Sequence, residues 1–131
     1  MKKGTLLNQP LSAVIAGMGH MDELVIADAG LPIPAGPQRI DLALTQGVPT
    51  FMDAVQAVLS ELQIEGAVIA AEMLERSPDV AAALRAALGD VPIETVPHEV
   101  FKTRTAHARA VVRTGEFTPY ANVILIAGVV F

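Results

Sequence analysis

The chain predicts an α/β fold: a three-layer α/β/α single domain over residues 1–131, with a central sheet that is largely parallel or mixed. Three observations point there. Short apolar runs (Leu24–Ala27, Ile64–Ala71, Val91–Val96, Ala121–Phe131) alternate with segments of helical periodicity, as when helices cover a buried sheet. The helical segments carry start and stop signals at their ends. No linker, low-complexity segment or internal repeat divides the 131 residues, a length able to bury roughly two thirds of its unfolded surface.

The elements follow in order. Asn8 or Ser12 caps a first helix, with Leu11, Val14, Ile15 and Met18 at helical spacing, ending at Gly17–Gly19. Leu24–Ala27 is a buried strand that places Asp28 at its carboxyl end, and the Pro/Gly-rich stretch from Gly30 to Pro37 is loop. Arg39–Leu44 begins by alternating polar and apolar residues, as a half-exposed strand does. Thr50 caps a helix whose stripe is Phe51, Val55, Val58 and Leu62, with Met52 and Leu59 beside it. Ile64–Ala71 is a strand. Ser77-Pro78-Asp79 starts another helix with a capping serine, proline at the first helical position and an acid in the first turn; Gly89 ends it as a left-handed cap. Val91–Val96 is a strand. A helix from about His98 to Thr114 follows, stopped by Gly115, and Ala121–Phe131 closes the chain as a continuous apolar strand.

Composition excludes several functions. A net charge of −5, from 9 Lys+Arg against 14 Asp+Glu, lacks the basic footprint that nucleic acid requires. With no cysteine there is no disulfide, thiolate nucleophile or thiolate-bound metal. The longest apolar run, Ala121–Phe131, falls short of the ~20 residues needed to span a bilayer. Asn8, Gln9 and Pro10 interrupt what would be the apolar core of a signal peptide, so a cytoplasmic location is expected. An apolar content of 52% and mean hydropathy of +0.47 are high for so small a chain, and the excess surface is expected in subunit contacts. The apolar Phe131 is expected in the sheet or a subunit seam.

Candidate chemistry centres on a few polar residues. His20 and Asp28 flank the first strand, and a base and an acid brought to one strand-end crevice suggest proton transfer. For His20 a surface histidine is the plainer reading; for Asp28 it is an Asx turn at Ala29-Gly30. His98 starts a helix, where a neutral imidazole serves to hydrogen-bond a sugar or accept a proton, or simply caps. Tyr120 and Asn122 bracket Ala121 at the mouth of the last strand and offer a donor/acceptor set suited to hydroxyls, though turn chemistry explains them too. His107 reads as a mid-helix residue without function. The histidines and acids match no metal-ligand spacing, and neither a dinucleotide fingerprint, a Walker pattern nor a nucleophile elbow is present.

Longer motifs sharpen this. Lys2-Lys3-Gly4-Thr5, Gly19-His20-x-Asp22, Asp28-Ala29-Gly30-Leu31-Pro32-Ile33-Pro34, the segment Ile40 to Pro49, His98-Glu99-x-Phe101-Lys102 and Gly115-Glu116-x-x-Pro119-Tyr120-Ala121-Asn122 closely resemble the D-ribose pyranase and fucose mutarotase family. The resemblance runs in register over nearly the whole chain; residues 73–97 depart most. It implies cofactor-free interconversion of the pyranose, furanose and anomeric forms of a free monosaccharide. It further implies His20 as the acid catalyst, with Asp28, His98 and Tyr120, Ala121 and Asn122 contacting sugar, and a ring-shaped homo-oligomer, a decamer of two stacked pentamers with sites near subunit seams. The Asp28–Pro34 form favours the D-ribose branch. The rivals are an L-fucose-type mutarotase and a non-catalytic sugar-binding subunit of ribose uptake.

Overall fold

Asn8 caps the first helix as expected: its side chain accepts the Leu11 N–H at 3.0 Å, and Pro10 sits in the first turn of α1 (Gln9–Gly17). The computed structural model, which describes residues 1–131, continues with β1 (Glu23–Ala27), β2 (Gln38–Asp41), α2 (Phe51–Leu59), β3 (Ile64–Ala70), α3 (Ala71–Arg76) and α4 (Pro78–Leu88). It ends with β4 (Ile93–Val96), α5 (His98–Arg104), a 3₁₀ turn at Thr105–His107, β5 (Ala110–Arg113) and β6 (Val123–Ala127). No helix is long and apolar enough to cross a membrane.

The six strands form one sheet in the order β2-β5-β1-β6-β3-β4. β1, β2 and β5 are parallel, as are β3 and β4, while β6 pairs antiparallel with both β1 and β3. Five strands therefore point one way and β6 the other, so the sheet is mixed. Their carboxyl ends make an upper rim shared with the start of β6; their amino ends make a lower rim shared with its end.

Alternation along β1 splits the core between two faces. Leu24 and Ile26 join a cluster with Leu11 of α1, Phe51, Val55 and Val58 of α2, Met73 of α3 and Leu84 of α4. Val25 and Ala27 join a smaller cluster with Leu31, Val68, Ile124 and Phe101 of α5. The layers are thus α/β/α but uneven, because α5 and the Leu31 loop alone cover the second face. Phe101 is fully buried and is the one large apolar side chain by which α5 grips the sheet.

The structure departs from the sequence expectations at several places. The long helix from His98 to Thr114 is instead α5, the 3₁₀ turn and β5. Ala106, Ala108, Arg109 and Ala110 are good helix formers, but Ala110–Arg113 fills the slot between β1 and β2 and pairs on both sides. Two ladders outweigh propensities worth tenths of a kcal/mol per residue. His107 is accordingly an exposed residue of the 3₁₀ turn rather than mid-helix. Gly115 does not stop a helix: a Cβ there would collide with backbone of Thr45 and Val48, so glycine lets that turn close onto β5.

The short helix α3 was not expected. Gly89 ends α4 with φ 58° but ψ −126°, outside the left-handed helical region yet open to glycine. Ser77 does not cap α4 with its side chain; its hydroxyl donates to Pro119 O at 2.5 Å. The closing strand stops at Ala127, and Val130 and Phe131 stand out in solvent rather than in the sheet.

The capping expectation for α2 holds in full. Thr50 Oγ1 accepts the Asp53 N–H at 3.1 Å and Asp53 Oδ2 accepts the Thr50 N–H at 2.9 Å, a reciprocal box. Two variants test the account by urea denaturation at fixed protein concentration. Thr50→Ala should lower stability by about 1 kcal/mol, and Phe101→Ala by about 3–5 kcal/mol. A Phe101→Ala loss no larger than that of Thr50→Ala would contradict the anchoring role given to Phe101.

Candidate functional site

Asp28 leaves β1 at the upper rim where Asn122 enters β6, and because these strands are neighbours the two residues meet. The Asp28 N–H donates to Asn122 Oδ1 at 2.8 Å, and Asn122 Nδ2 donates to Asp28 Oδ2 at 2.8 Å. The Gly30 N–H donates to Asp28 Oδ1 at 2.9 Å, so the Asx turn exists alongside this clamp. Asn122 is fully buried and both ends of its amide serve Asp28. Its side chain therefore orients the carboxylate, while half-buried Asp28 lines the cleft.

Tyr120 is held in the left-handed region at φ 62°, a conformation that costs a non-glycine residue about 1–2 kcal/mol. The turn persists because it is tied on all sides. The Asn122 N–H donates to Tyr120 O at 2.8 Å, the Ala121 N–H to Thr118 O at 3.3 Å, and the Ser77 hydroxyl to Pro119 O. Ala121 itself is buried and contributes backbone only.

His98 opens α5, and its backbone N–H donates to Glu72 Oε2 at 2.9 Å. That carboxylate, from α3, serves as the cap that Pro97 cannot supply. The imidazole stacks on Phe101 at 6.3 Å and meets the Tyr120 ring edge-on at 5.0 Å. Its Nδ1 is buried without a hydrogen-bond partner.

Asp28, His98 and Tyr120 line one cleft of about 310 Å³, together with Gly30, Leu31, Pro32, Arg76 and Pro119. This lies at the lower end of the range for small-molecule sites, about 300–1,000 Å³. A neighbouring hollow of about 370 Å³ shares Asp28, Gly30 and Pro119 and adds Arg113 and Glu116. A hollow of about 500 Å³ beside Gly17, Gln38 and Arg109 contains none of the candidate residues. No group of three or more His, Asp or Glu side chains is placed to hold a metal ion.

Glu116 ties the site to α2. Its Oε2 accepts the Phe51 N–H at 3.1 Å, and its Oε1 accepts the Thr118 hydroxyl at 2.7 Å. Burial works to raise its carboxyl, but donation from the Thr118 hydroxyl and from the N–H groups of Phe51, Thr118 and Phe117 holds it below the ordinary 4.5. Sequence reasoning assigned no role to Glu116, Glu72 or Arg76. Glu72 carried a usable signal: like Asp28, it is an acid just past an apolar strand.

His20 lies elsewhere. It precedes β1 on the lower rim, 54% exposed, with Nε2 at 2.9 Å from Glu65 Oε1. The expectation that His20 and Asp28 share one crevice does not hold within a chain. The strand between them has five residues, which at about 3.3 Å each separate its ends by roughly 17 Å.

Residues 1–130 match the RbsD / FucU transport protein family. The chain belongs to that family. It is 61% identical over 131 residues, the full length of both chains, to a D-ribose pyranase of Symbiobacterium thermophilum. Among solved structures it is similar to Bacillus subtilis RbsD complexed with D-ribose, at TM-score 0.97 and 46% identity with both chains fully covered. The fucose mutarotase of Streptococcus pneumoniae in complex with L-fucose matches at TM-score 0.83 and 26% identity, again over both whole chains. The mixed α/β sheet is thus the RbsD / FucU fold; of the motifs that suggested the family, those from Asp28 onward meet on its upper rim, while Lys2–Thr5, bonded to Ser60 and Glu61, and the His20 turn do not.

The two roles assigned to polar groups here are separable. Asn122→Ala leaves the Asp28 N–H and one carboxylate oxygen without partners and should destabilise by about 1–3 kcal/mol; a neutral effect on denaturation would contradict the clamp. For Glu116, the folded value lies below the unfolded one, so the ionised carboxylate stabilises the fold. That contribution is complete above the unfolded value and is lost as pH falls through the folded one. Glu116→Gln should melt below the parent at about pH 7, with a gap that narrows as the pH falls below the ordinary 4.5; a constant gap would contradict it.

Proposed function

We propose that this chain interconverts the pyranose, furanose and anomeric forms of free D-ribose by acid/base opening and reclosure of the hemiacetal ring. What carries this reading is the 61% identity, end to end, with a D-ribose pyranase, in a chain whose matching motifs build the Asp28–His98–Tyr120 cleft. Within the cleft Asp28 accepts hydrogen bonds from sugar hydroxyls, and the His98 imidazole and the Tyr120 phenol each donate or accept.

Ring opening needs a proton delivered to the ring oxygen as its bond to the anomeric carbon breaks, and a proton removed from the anomeric hydroxyl. The aldehyde then rotates and another hydroxyl attacks. No redox change or covalent enzyme intermediate is required. A positioned imidazole suits the task because its ordinary pKa, about 6.5, lies near neutrality.

His20 is the acid in this scheme, and it stands on the lower rim while the cleft is on the upper one. A second copy supplies it: the lower rim of one subunit docks on the upper rim of the next. Such head-to-tail contacts close into rings. Both rims carry exposed apolar groups that suit the contact, Leu44 and Phe117 above, Met21, Val130 and Phe131 below. A ring of this kind, stacked as a decamer in the cytoplasm, is the assembly we infer.

Saturation-transfer NMR on D-ribose tests the activity directly: exchange between ring forms should accelerate without added metal or nucleotide, and exchange at the buffer rate would end this reading. His20→Ala should slow turnover by about 10²–10⁴-fold, with little effect on sugar affinity. Mixing His20→Ala with Asp28→Asn chains should restore part of the activity, because some seams then combine an intact His20 with an intact Asp28. No recovery in verified mixed oligomers would contradict the shared site. Removing Val129–Phe131 should weaken assembly and exchange together, as light scattering and NMR would register.

A further inference from the structure

We propose that Glu65 is the positioning residue for His20: its carboxylate holds the imidazole Nε2–H, so that Nδ1 is the nitrogen that exchanges a proton with the sugar. The inference deepens the function proposed above and rests on His20 being its acid. The two Glu65 oxygens lie 2.9 and 3.0 Å from His20 Nε2. A carboxylate at neutral pH only accepts, so the proton of that contact sits on Nε2.

Both partners are built into place. Glu65 is the sole exposed residue of β3, whose other residues are buried. The pairing of β3 with β6 steps from Ile64↔Ala127 to Gly66↔Ile126, leaving Glu65 as the extra, unpaired residue of a bulge. Bulges re-aim side chains, often next to active sites. Opposite it, Gly128 has no side chain, and a Cβ there would stand 3.1 Å from Glu65 Cβ and 3.4 Å from Oε2. The absent side chain is what lets Glu65 lie across the rim toward His20.

His20 sits in a turn closed by Gly19 N–H to Asp22 Oδ2 at 2.9 Å and Asp22 N–H to Gly19 O at 3.1 Å. The Met21 N–H donates to Ala127 O at 2.9 Å, and Met21 is held at φ 69°. A non-glycine residue in that region is a strained conformation of the kind concentrated at functional sites. Asp22 is occupied by the Gly19 N–H and by Arg109 at 3.7 Å, which leaves Glu65 as the acid facing the imidazole.

In the step this arrangement serves, protonated His20 gives its Nδ1 proton to the ring oxygen, which takes the electron pair of the breaking bond to the anomeric carbon. The anomeric hydroxyl loses its proton to a group of the cleft or to water as the aldehyde forms. On reclosure Nδ1 regains a proton, while Nε2–H stays on Glu65 throughout and the carboxylate offsets the imidazolium charge.

Long-range ¹H–¹⁵N spectra of ¹⁵N-histidine-labelled full-length protein, with ring-exchange kinetics, test this. The neutral His20 ring should carry its proton on Nε2 in the parent and become a tautomer mixture in Glu65→Gln, whose amide both donates and accepts. Glu65→Gln should lower kcat roughly 10-fold to 100-fold, with KM unchanged, and Gly128→Ala should act in the same direction by displacing Glu65. An Nδ1-protonated ring in the parent, a ring spectrum identical in parent and Glu65→Gln, or an unchanged kcat in Glu65→Gln overturns the proposal. His20→Ala separates the two failures. If it retains full turnover, the assignment of His20 falls; if it is inactive while Glu65→Gln matches the parent, only the role of Glu65 falls.

Discussion

Between β1 and β3, the last strand Val123–Ala127 runs antiparallel to both neighbours and pairs with each. Its reversal brings the segment before it, Tyr120–Asn122, to the rim where β1, β3, β4 and β5 end. A parallel strand in that slot would deliver its carboxyl end there, and Asn122 would lie at the opposite rim from Asp28. The Asp28–Asn122 clamp, the Tyr120–His98 ring contact and the Ser77–Pro119 hydrogen bond all follow from this one choice of direction. The same reversal sends Gly128 down to the lower rim, beside Glu65 and the His20 turn.

The second recurring device is the use of distant carboxylates as helix caps. Glu72 satisfies the first N–H of α5, and Glu116 satisfies that of α2. Each comes from the upper rim, so starting these helices and shaping the cleft are the same event. Helix ends need such partners, because their first N–H groups have none within the helix. The arrangement explains how a small sheet positions His98 and Tyr120 closely although neither lies in a strand. It also gives α5 three ties: the Glu72 cap at one end, Phe101 along its length, and Arg104 at the other end, bonded to Glu23 and Glu94.

The rims divide the chemistry. The upper rim holds a carboxylate, a phenol and an imidazole around one cleft; the lower rim holds a histidine paired with an acid. With His20 as the acid, the proposed function joins the two rims and therefore needs two copies of the chain. The exposed apolar residues on both rims belong to the same logic, since an isolated chain leaves Phe117 and Phe131 in water.

Local signals by themselves determined α1, α2 and α4, β1, β3 and β4 and the cap at Thr50, because periodicity and caps act within a few residues. The motifs also fixed the family and nominated Asp28, His98 and Tyr120. Tertiary structure alone decided three things. Ala110–Arg113 became a strand because two neighbours offered ladders on either side, against the helical preference of the alanines that lead into it. Asn122 turned its amide inward, where it bonds both the Asp28 N–H and Oδ2 at a buried corner that no local pattern announces. His20 was separated from Asp28 because the strand joining them is straight. Eight positions apart in sequence they look like one site, but an extended backbone turns that spacing into the height of the sheet.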